Sequence, residues 1–348
     1  MATSSLRNQP IRPFLPPYIS REISQRGTPQ QRSRALRDLS MSERLRGRRE
    51  VLGGLRTGTP AGTKRRTIYD ARNTYGLPGA LVRGEGDPAS KDVAINEAYK
   101  GSGLTYDFFW KVFGRNSIDG SGMRLDSSVH YGEEYANAFW NGVQMVYGDG
   151  DGEIFRRFTK ALDVIGHELT HGVIEWEGRL VYEGQPGALS ESFSDIFGIL
   201  VKQFSLKQKA EDARWIIGEG LFTSRVQGEG IRSMKSPGTA YDDPILGKDP
   251  QPAHMKKIYR GSDDNGGVHI NSGIPNHAFY TAAVTLGGFA WERAGKIWYV
   301  ALADHVKSKT DFSEAAEMTL AVAASLYGKG SKEQKAVREG WSEVGVIK

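Results

Sequence analysis

Two periodicities divide this chain. From Phe158 onward apolar side chains recur every three or four positions: Ala161, Leu162, Ile165 and Leu169 make one stripe, and similar spacing predicts helices over 276–286, 291–306, 312–327 and 332–344. Gly328 is placed to end one of these helices, and Ser331 with Gln334 to open the next as a capping box. Upstream, 93–113 also reads as a helix, whereas Met123 to Tyr131 and Phe139 to Tyr147 are short runs broken by Gly and Asp-Gly pairs and predict antiparallel strands. A β-rich lobe over 67–160 followed by a helical lobe over 161–348 is an α+β arrangement.

The first 66 residues follow neither period. Pro10, Pro13, Pro16 and Pro17 enclose a small apolar knot, Phe14, Leu15, Tyr18 and Ile19. A helix is allowed over 43–52, but low hydrophobicity argues against independent folding. Residues 53–63, with four Gly and a Pro, read as an exposed and cleavable linker. Charge sharpens the division: residues 1–66 hold 15 Lys and Arg against four acids, a net of +11, while the other 282 residues carry a net of −6. A basic leader on an acidic body predicts an arm that docks on its own chain or binds an outside polyanion such as nucleic acid. No window is apolar enough to span a bilayer, and 1–20 lacks the apolar run of a conventional secretory signal. With no cysteine, thiol catalysis is excluded and a metal site must use His and carboxylates.

The sharpest local pattern is His167-Glu168-Leu169-Thr170-His171 inside a predicted helix. Residues four apart share a helix face, so both imidazoles project at metal-ligand spacing with Glu168 beside them. Catalytic zinc takes three protein ligands and keeps a position for water. An HExxHxxGxxH site is excluded because Ile174 and Glu177 stand where it needs Gly and His. Downstream, Gly187-Ala188-Leu189-Ser190-Glu191-Ser192-Phe193-Ser194-Asp195 places Glu191 and Asp195 on one helical face, where one carboxylate can ligate and the other hold an imidazole N–H.

The HELTH motif, the 19-residue spacing to Glu191, Asn137-Ala138-Phe139-Trp140-Asn141-Gly142, Arg232-Ser233-Met234 and Asp264-Asn265-Gly266-Gly267-Val268-His269 together resemble the thermolysin-like neutral metallopeptidases over roughly residues 67–348. The resemblance implies one Zn²⁺ held by His167, His171 and Glu191, with Glu168 as general base and Tyr182 and His269 as oxyanion donors. It also implies Asp264 as the partner of His269, and Asp195 and Ser190 as supports of the ligands. For substrate it implies a main-chain clamp at Asn137 and Ala138, Arg232 on the carbonyl after the cut bond, and a pocket of Phe155, Phe158, Val164, Ile217, Leu221 and Ile231. Hydrolysis before bulky apolar residues of protein or peptide substrates is the expected activity.

Two departures change expectations. Ser190 replaces the family's usual Asn, a shorter support for an imidazole. The family's double calcium site keeps Asp163 and Glu219, but its other acidic positions carry Lys202, Arg214 and Ile216, so that site is expected to be absent, with Lys202 or Arg214 as the local cation; a weaker calcium loop over 223–229 stays open. The leader, with Phe14, Pro16, Pro17 and Tyr18, resembles the short propeptides of the protealysin subgroup. It implies an inhibitory prosegment over 1–52, ending within 47–66, whose Phe14 to Tyr18 blocks the cleft by shape; the bonds before Val51, Leu52 and Leu55 are candidates for self-processing. A secreted monomer with no nucleic-acid or membrane partner is expected, and cytoplasmic residence or export without a conventional signal stays open. A catalytically silent zinc scaffold and a nucleic-acid-binding arm are the alternatives.

Overall fold

The chain enters its own sheet as an edge strand. In the computed structural model, which describes residues 12–46 and 60–348, Arg12–Pro13 form β1. Val51, Leu52, Leu55 and most of the expected linker lie outside the described residues. Pro16 and Pro17 then stop the strand and start helix α1 (Pro17–Arg26), because proline's fixed φ suits a first helical turn. Helix α2 (Pro29–Arg46) begins well before the helix expected at 43–52. Its apolar period is weak because polar bonds to the body hold it: Arg34 pairs with Glu134 at 2.6 Å and Glu153 at 3.3 Å, and Gln31 donates to Glu153 at 3.0 Å.

The other strands of this sheet are β2 (Arg66–Asp70) and β3 (Ala80–Arg83), then, after helix α3 (Val93–Phe113), β4 (Leu125–Val129), β5 (Ala138–Trp140) and β6 (Met145–Tyr147). The sheet runs β1-β5-β6-β4-β2-β3. It corrects the antiparallel expectation: β5 and β6 form the hairpin, but β4 lies parallel to both β6 and β2. Local alternation reports a strand's faces and not its partner's direction, and the crossover through α3 sets the latter.

Helices α4 (Leu162–Trp176) and α5 (Gly184–Leu206) form the centre, buried over 163–174 and 187–201. They meet through glycine: a Cβ on Gly198 would stand 2.4 Å from the Asp163 carbonyl, and one on Gly166 would stand 3.0 Å from Gly198 Cα. That approach brings Glu191 of α5 beside His167 and His171 of α4. The lobe continues with α6 (Asp263–Asn271), α7 (Gly273–Leu286), α8 (Ala294–Val300, prolonged by a π turn to His305), α9 (Phe312–Tyr327) and α10 (Lys332–Glu343). Ser331 accepts from Gln334 N at 3.2 Å, but Gln334 Oε1 accepts from Gly330 N, so the expected reciprocal box is only half formed there.

Candidate metal centre and peptide cleft

One turn of α4 sets His167 and His171 with their Nε2 atoms 3.1 Å apart, and Glu191 of α5 stands 3.4 Å and 3.3 Å from them. Donor edges around a tetrahedral ion bonded at ~2.0–2.1 Å are roughly 3.3 Å, so the three groups fit zinc. Hydrogen bonding points the same way. His167 Nδ1 meets Asp195 Oδ1 at 2.8 Å, which places the proton there and turns the Nε2 lone pair toward His171. Glu191 Oε2, fully buried, has no hydrogen-bond partner, as a ligand oxygen requires.

Asp195 does more than hold His167. Its carboxylate also accepts from Arg232 Nε and Nη2, both at 2.8 Å, and from Asn276 Nδ2 at 2.8 Å. Burial opposes its charge, but Arg232 and His167 bring its pKa down to about 2. The imidazole support expected of Ser190 comes instead from Ser194, whose Oγ lies 3.0 Å from His171 Nδ1; Ser190, one turn earlier, accepts from Arg12 Nη1 at 3.0 Å. Glu168 accepts from Trp140 N at 2.9 Å through Oε2 and leaves Oε1 without a partner. Burial pushes its pKa up to about 8.

The opposite side of the centre rests on a left-handed turn. Asp264, Asn265, Gly266 and Gly267 all have φ between 52° and 80°, a run that only these residue types sustain cheaply. The turn folds Asp264 back, so that its carboxylate accepts from His269 N at 2.8 Å and meets His269 Nδ1 at 2.6 Å. Burial works against charge on His269, yet the Glu191 and Asp264 carboxylates outweigh it and raise the pKa. Tyr182 completes the group, with its hydroxyl donating to Glu191 Oε1 at 2.5 Å and lying 3.1 Å from His269 Nε2.

The chain's own leader lies across these groups. Phe14 N donates to the Ala138 carbonyl at 2.9 Å, and Leu15 N donates to Asn137 Oδ1 at 2.8 Å. Asn137 Nδ2 and Arg232 Nη1 reach the Leu15 and Phe14 carbonyls at 3.5 Å and 3.4 Å, while the Pro13 carbonyl meets His269 Nε2 at 3.2 Å. The Pro13–Phe14 amide is therefore the one that faces the centre. Phe14 is fully buried, edge-on to His167 at 5.3 Å and to Phe158 at 6.4 Å, with Arg232 over its ring at 4.7 Å. At Gly218, a Cβ would stand 2.8 Å from Ile231, 3.2 Å from Leu221 and 3.4 Å from Phe14, so these residues meet in one pocket. Phe155 packs on Phe158 at 5.9 Å, and Val164 and Ile217 are buried in the same core.

Among the described residues, the stretch lying in the cleft includes Arg12, two residues before Phe14, while Tyr18, on α1, lines a neighbouring groove with Glu22 and Leu246. The sequence reading missed Arg12, Ser194, Gly218 and Asn276; only the basic residue just before Pro13 was a visible signal. Away from the cleft, Lys202 Nζ stands 3.0 Å from Glu219 and 3.7 Å from Asp163, and Arg214 pairs with Glu219 and Glu229 at 2.7 Å each.

Known proteins match this chain along nearly its whole length. The family model described as "Thermolysin metallopeptidase, catalytic domain" matches residues 59–175, and "Thermolysin metallopeptidase, alpha-helical domain" matches residues 178–346. An "Extracellular metalloprotease" of Pectobacterium carotovorum is 49% identical over 98% of both chains. "Thermolysin" of Alicyclobacillus acidocaldarius is 42% identical over 80% of this chain and 50% of its own length. Among solved structures, the precursor of protealysin, a metalloproteinase from Serratia proteamaculans, superposes with a TM-score of 0.90 at 53% identity, over 97% of this chain and all of its own.

Proposed function

The chain belongs to the thermolysin metallopeptidase family, and from that premise we propose that it is a zinc endopeptidase made as an autoinhibited precursor that cuts before bulky apolar residues. The observation that carries the reading is the leader peptide's register, with the Pro13–Phe14 amide facing His269 and the Phe14 side chain filling an apolar pocket. A substrate held through the same bonds would present its scissile carbonyl where Pro13 now presents its own. His167, His171 and Glu191 would hold the zinc, which when bound polarises the peptide carbonyl and makes a water acidic near neutral pH.

Glu168 Oε1, buried and unpartnered, takes the proton of the attacking water and returns it to the leaving amine. His269 and Tyr182 donate to the carbonyl oxygen as it gains charge, and Asp264 holds His269 in the required orientation. Arg232 fixes the next carbonyl, and Asn137 with Ala138 keeps the peptide extended by pairing with its backbone.

The inhibitory segment comprises residues 1 to about 52, ending within 47–66, and the catalytic lobes span 67–160 and 161–348. Support comes from the leader's ion pairs with the body and from the likeness to a precursor structure. We further propose that Lys202 serves as the cation between Asp163 and Glu219 in place of calcium, so added calcium does not occupy this cluster; calcium-dependent melting with an ion bound there would contradict it. The placement of this enzyme outside the cell follows the name of its Pectobacterium relative, and no described helix is long and apolar enough to cross a membrane.

Casein digestion by wild type and Glu168→Ala, with metal analysis of both, tests the mechanism. Loss of a proton-transfer group costs about 10²–10⁴-fold in rate while the zinc stays bound. Activity in the variant equal to wild type would contradict the assignment.

A further inference from the structure

We propose that the cleft carries an arginine socket two residues before the bond that is cut, built from Ser190 Oγ, the Leu180 carbonyl and the face of Tyr182, and that the enzyme selects substrates by it. The proposal rests on the peptidase reading above. Its occupant in the precursor is Arg12, only 2% exposed. Arg12 Nη1 donates to Ser190 Oγ at 3.0 Å, Nη2 donates to the Leu180 carbonyl at 3.4 Å, and the guanidinium carbon lies 4.9 Å from the centre of the Tyr182 ring.

These partners suit a guanidinium in particular. Its planar fork spreads donors in fixed directions, matching two acceptors on one side, and its flat face tolerates an aromatic neighbour. A lysine ammonium would bring a compact charge without the fork, and an alanine would leave both acceptors without this donor. The acceptors belong to the catalytic body: Ser190 sits on α5 beside Glu191, and Leu180 precedes Tyr182 in the turn between α4 and α5. The socket therefore outlasts removal of the leader. Register fixes its meaning for substrates. Arg12 pairs with Trp140 on β5, Pro13 presents its carbonyl to His269 and Phe14 fills the pocket, so the residue equivalent to Arg12 is the second one before the cut.

The test uses internally quenched peptides with Phe directly after the cut bond and with Arg, citrulline or Ala as the second residue before it. The full chain is incubated until its casein hydrolysis is constant, and kcat/KM is then measured for each peptide with wild type and Ser190→Ala. Charge-assisted hydrogen bonds to a buried acceptor predict about a tenfold preference for Arg over both Ala and citrulline in wild type. In Ser190→Ala the Arg-to-Ala ratio falls several-fold. Any disturbance of Glu191 by the substitution slows both peptides alike and cancels in that ratio, and the citrulline comparison needs no variant at all. Equal kcat/KM for the three peptides with wild type, or an Arg-to-Ala ratio untouched by Ser190→Ala, would overturn the socket. No hydrolysis of casein would overturn the peptidase reading, and the socket with it, while casein hydrolysis without cleavage of any of the peptides would overturn the socket alone.

Discussion

Along the β5 wall of the cleft the leader is gripped through its backbone: Phe14 N on the Ala138 carbonyl and Leu15 N on Asn137. The helical wall, besides meeting the Pro13 and Phe14 carbonyls through His269 and Arg232, also holds side chains of the leader: Phe14 against Phe158 and His167, and Arg12 on Ser190. Backbone pairing accepts any extended sequence, so the first wall supplies direction and register. Buried side-chain sockets discriminate, so the second wall supplies identity. The proposed metal ligands His167, His171 and Glu191, with Glu168, stand on that second wall, on α4 and α5, where Asp195 ties His167, Arg232 and Asn276 into one network.

That tie makes Asp195→Asn the substitution with the largest expected effect on the helical wall. The variant leaves Arg232 buried without its counter-charge, a cost of about 3–5 kcal/mol by analogy with other broken buried pairs. It also turns the charged acceptor on His167 into a neutral amide, which weakens metal binding by about 10–100-fold. Thermal melting and competition with a zinc chelator measure the two effects; wild-type values in both would show that the helical wall is not a single network.

A smaller effect separates pocket from backbone. Emptying the pocket with Phe14→Ala removes a fully buried aromatic side chain, an interaction worth up to about 3–5 kcal/mol in a rigid core. The unprocessed chain should then show markedly more peptidase activity than wild type, measured before any cleavage appears on a gel. No increase would mean that the backbone pairing alone keeps the cleft closed.

Asn137→Ala probes the other wall. It deletes the side-chain acceptor for Leu15 N and the weaker donor to the Leu15 carbonyl, so about tenfold is expected in kcat/KM for a peptide substrate. Because those bonds are made to backbone, peptides with Leu, Ile or Phe after the cut should lose the same factor. Losses that depend on the side chain would erase the distinction between the walls.

Legibility in the sequence followed the range of the interaction. His167 and His171 were readable because helix geometry fixes residues four apart, and Glu191 with Asp195 repeats the relation on the next helix. Helices 93–113 and 312–327 were equally plain, since each carries its own period and stop. Arg12 on Ser190 spans 178 residues, and no local pattern encodes a contact of that separation. The parallel pairing of β4 was hidden for the same reason, as was α2, whose hold on the body is made of ion pairs more than of an apolar stripe.

On the proposed reading, His167, His171 and Glu191 hold one zinc ion that peptide hydrolysis requires. Its most direct test is to strip the protein with a chelator, remove the chelator and titrate zinc back while following hydrolysis of a peptide with Phe after the cut. The account predicts that activity is lost on stripping and returns with a break at one equivalent of zinc, and that Glu191→Gln shows no such return. Undiminished hydrolysis by the stripped protein, or full recovery in Glu191→Gln, would contradict it.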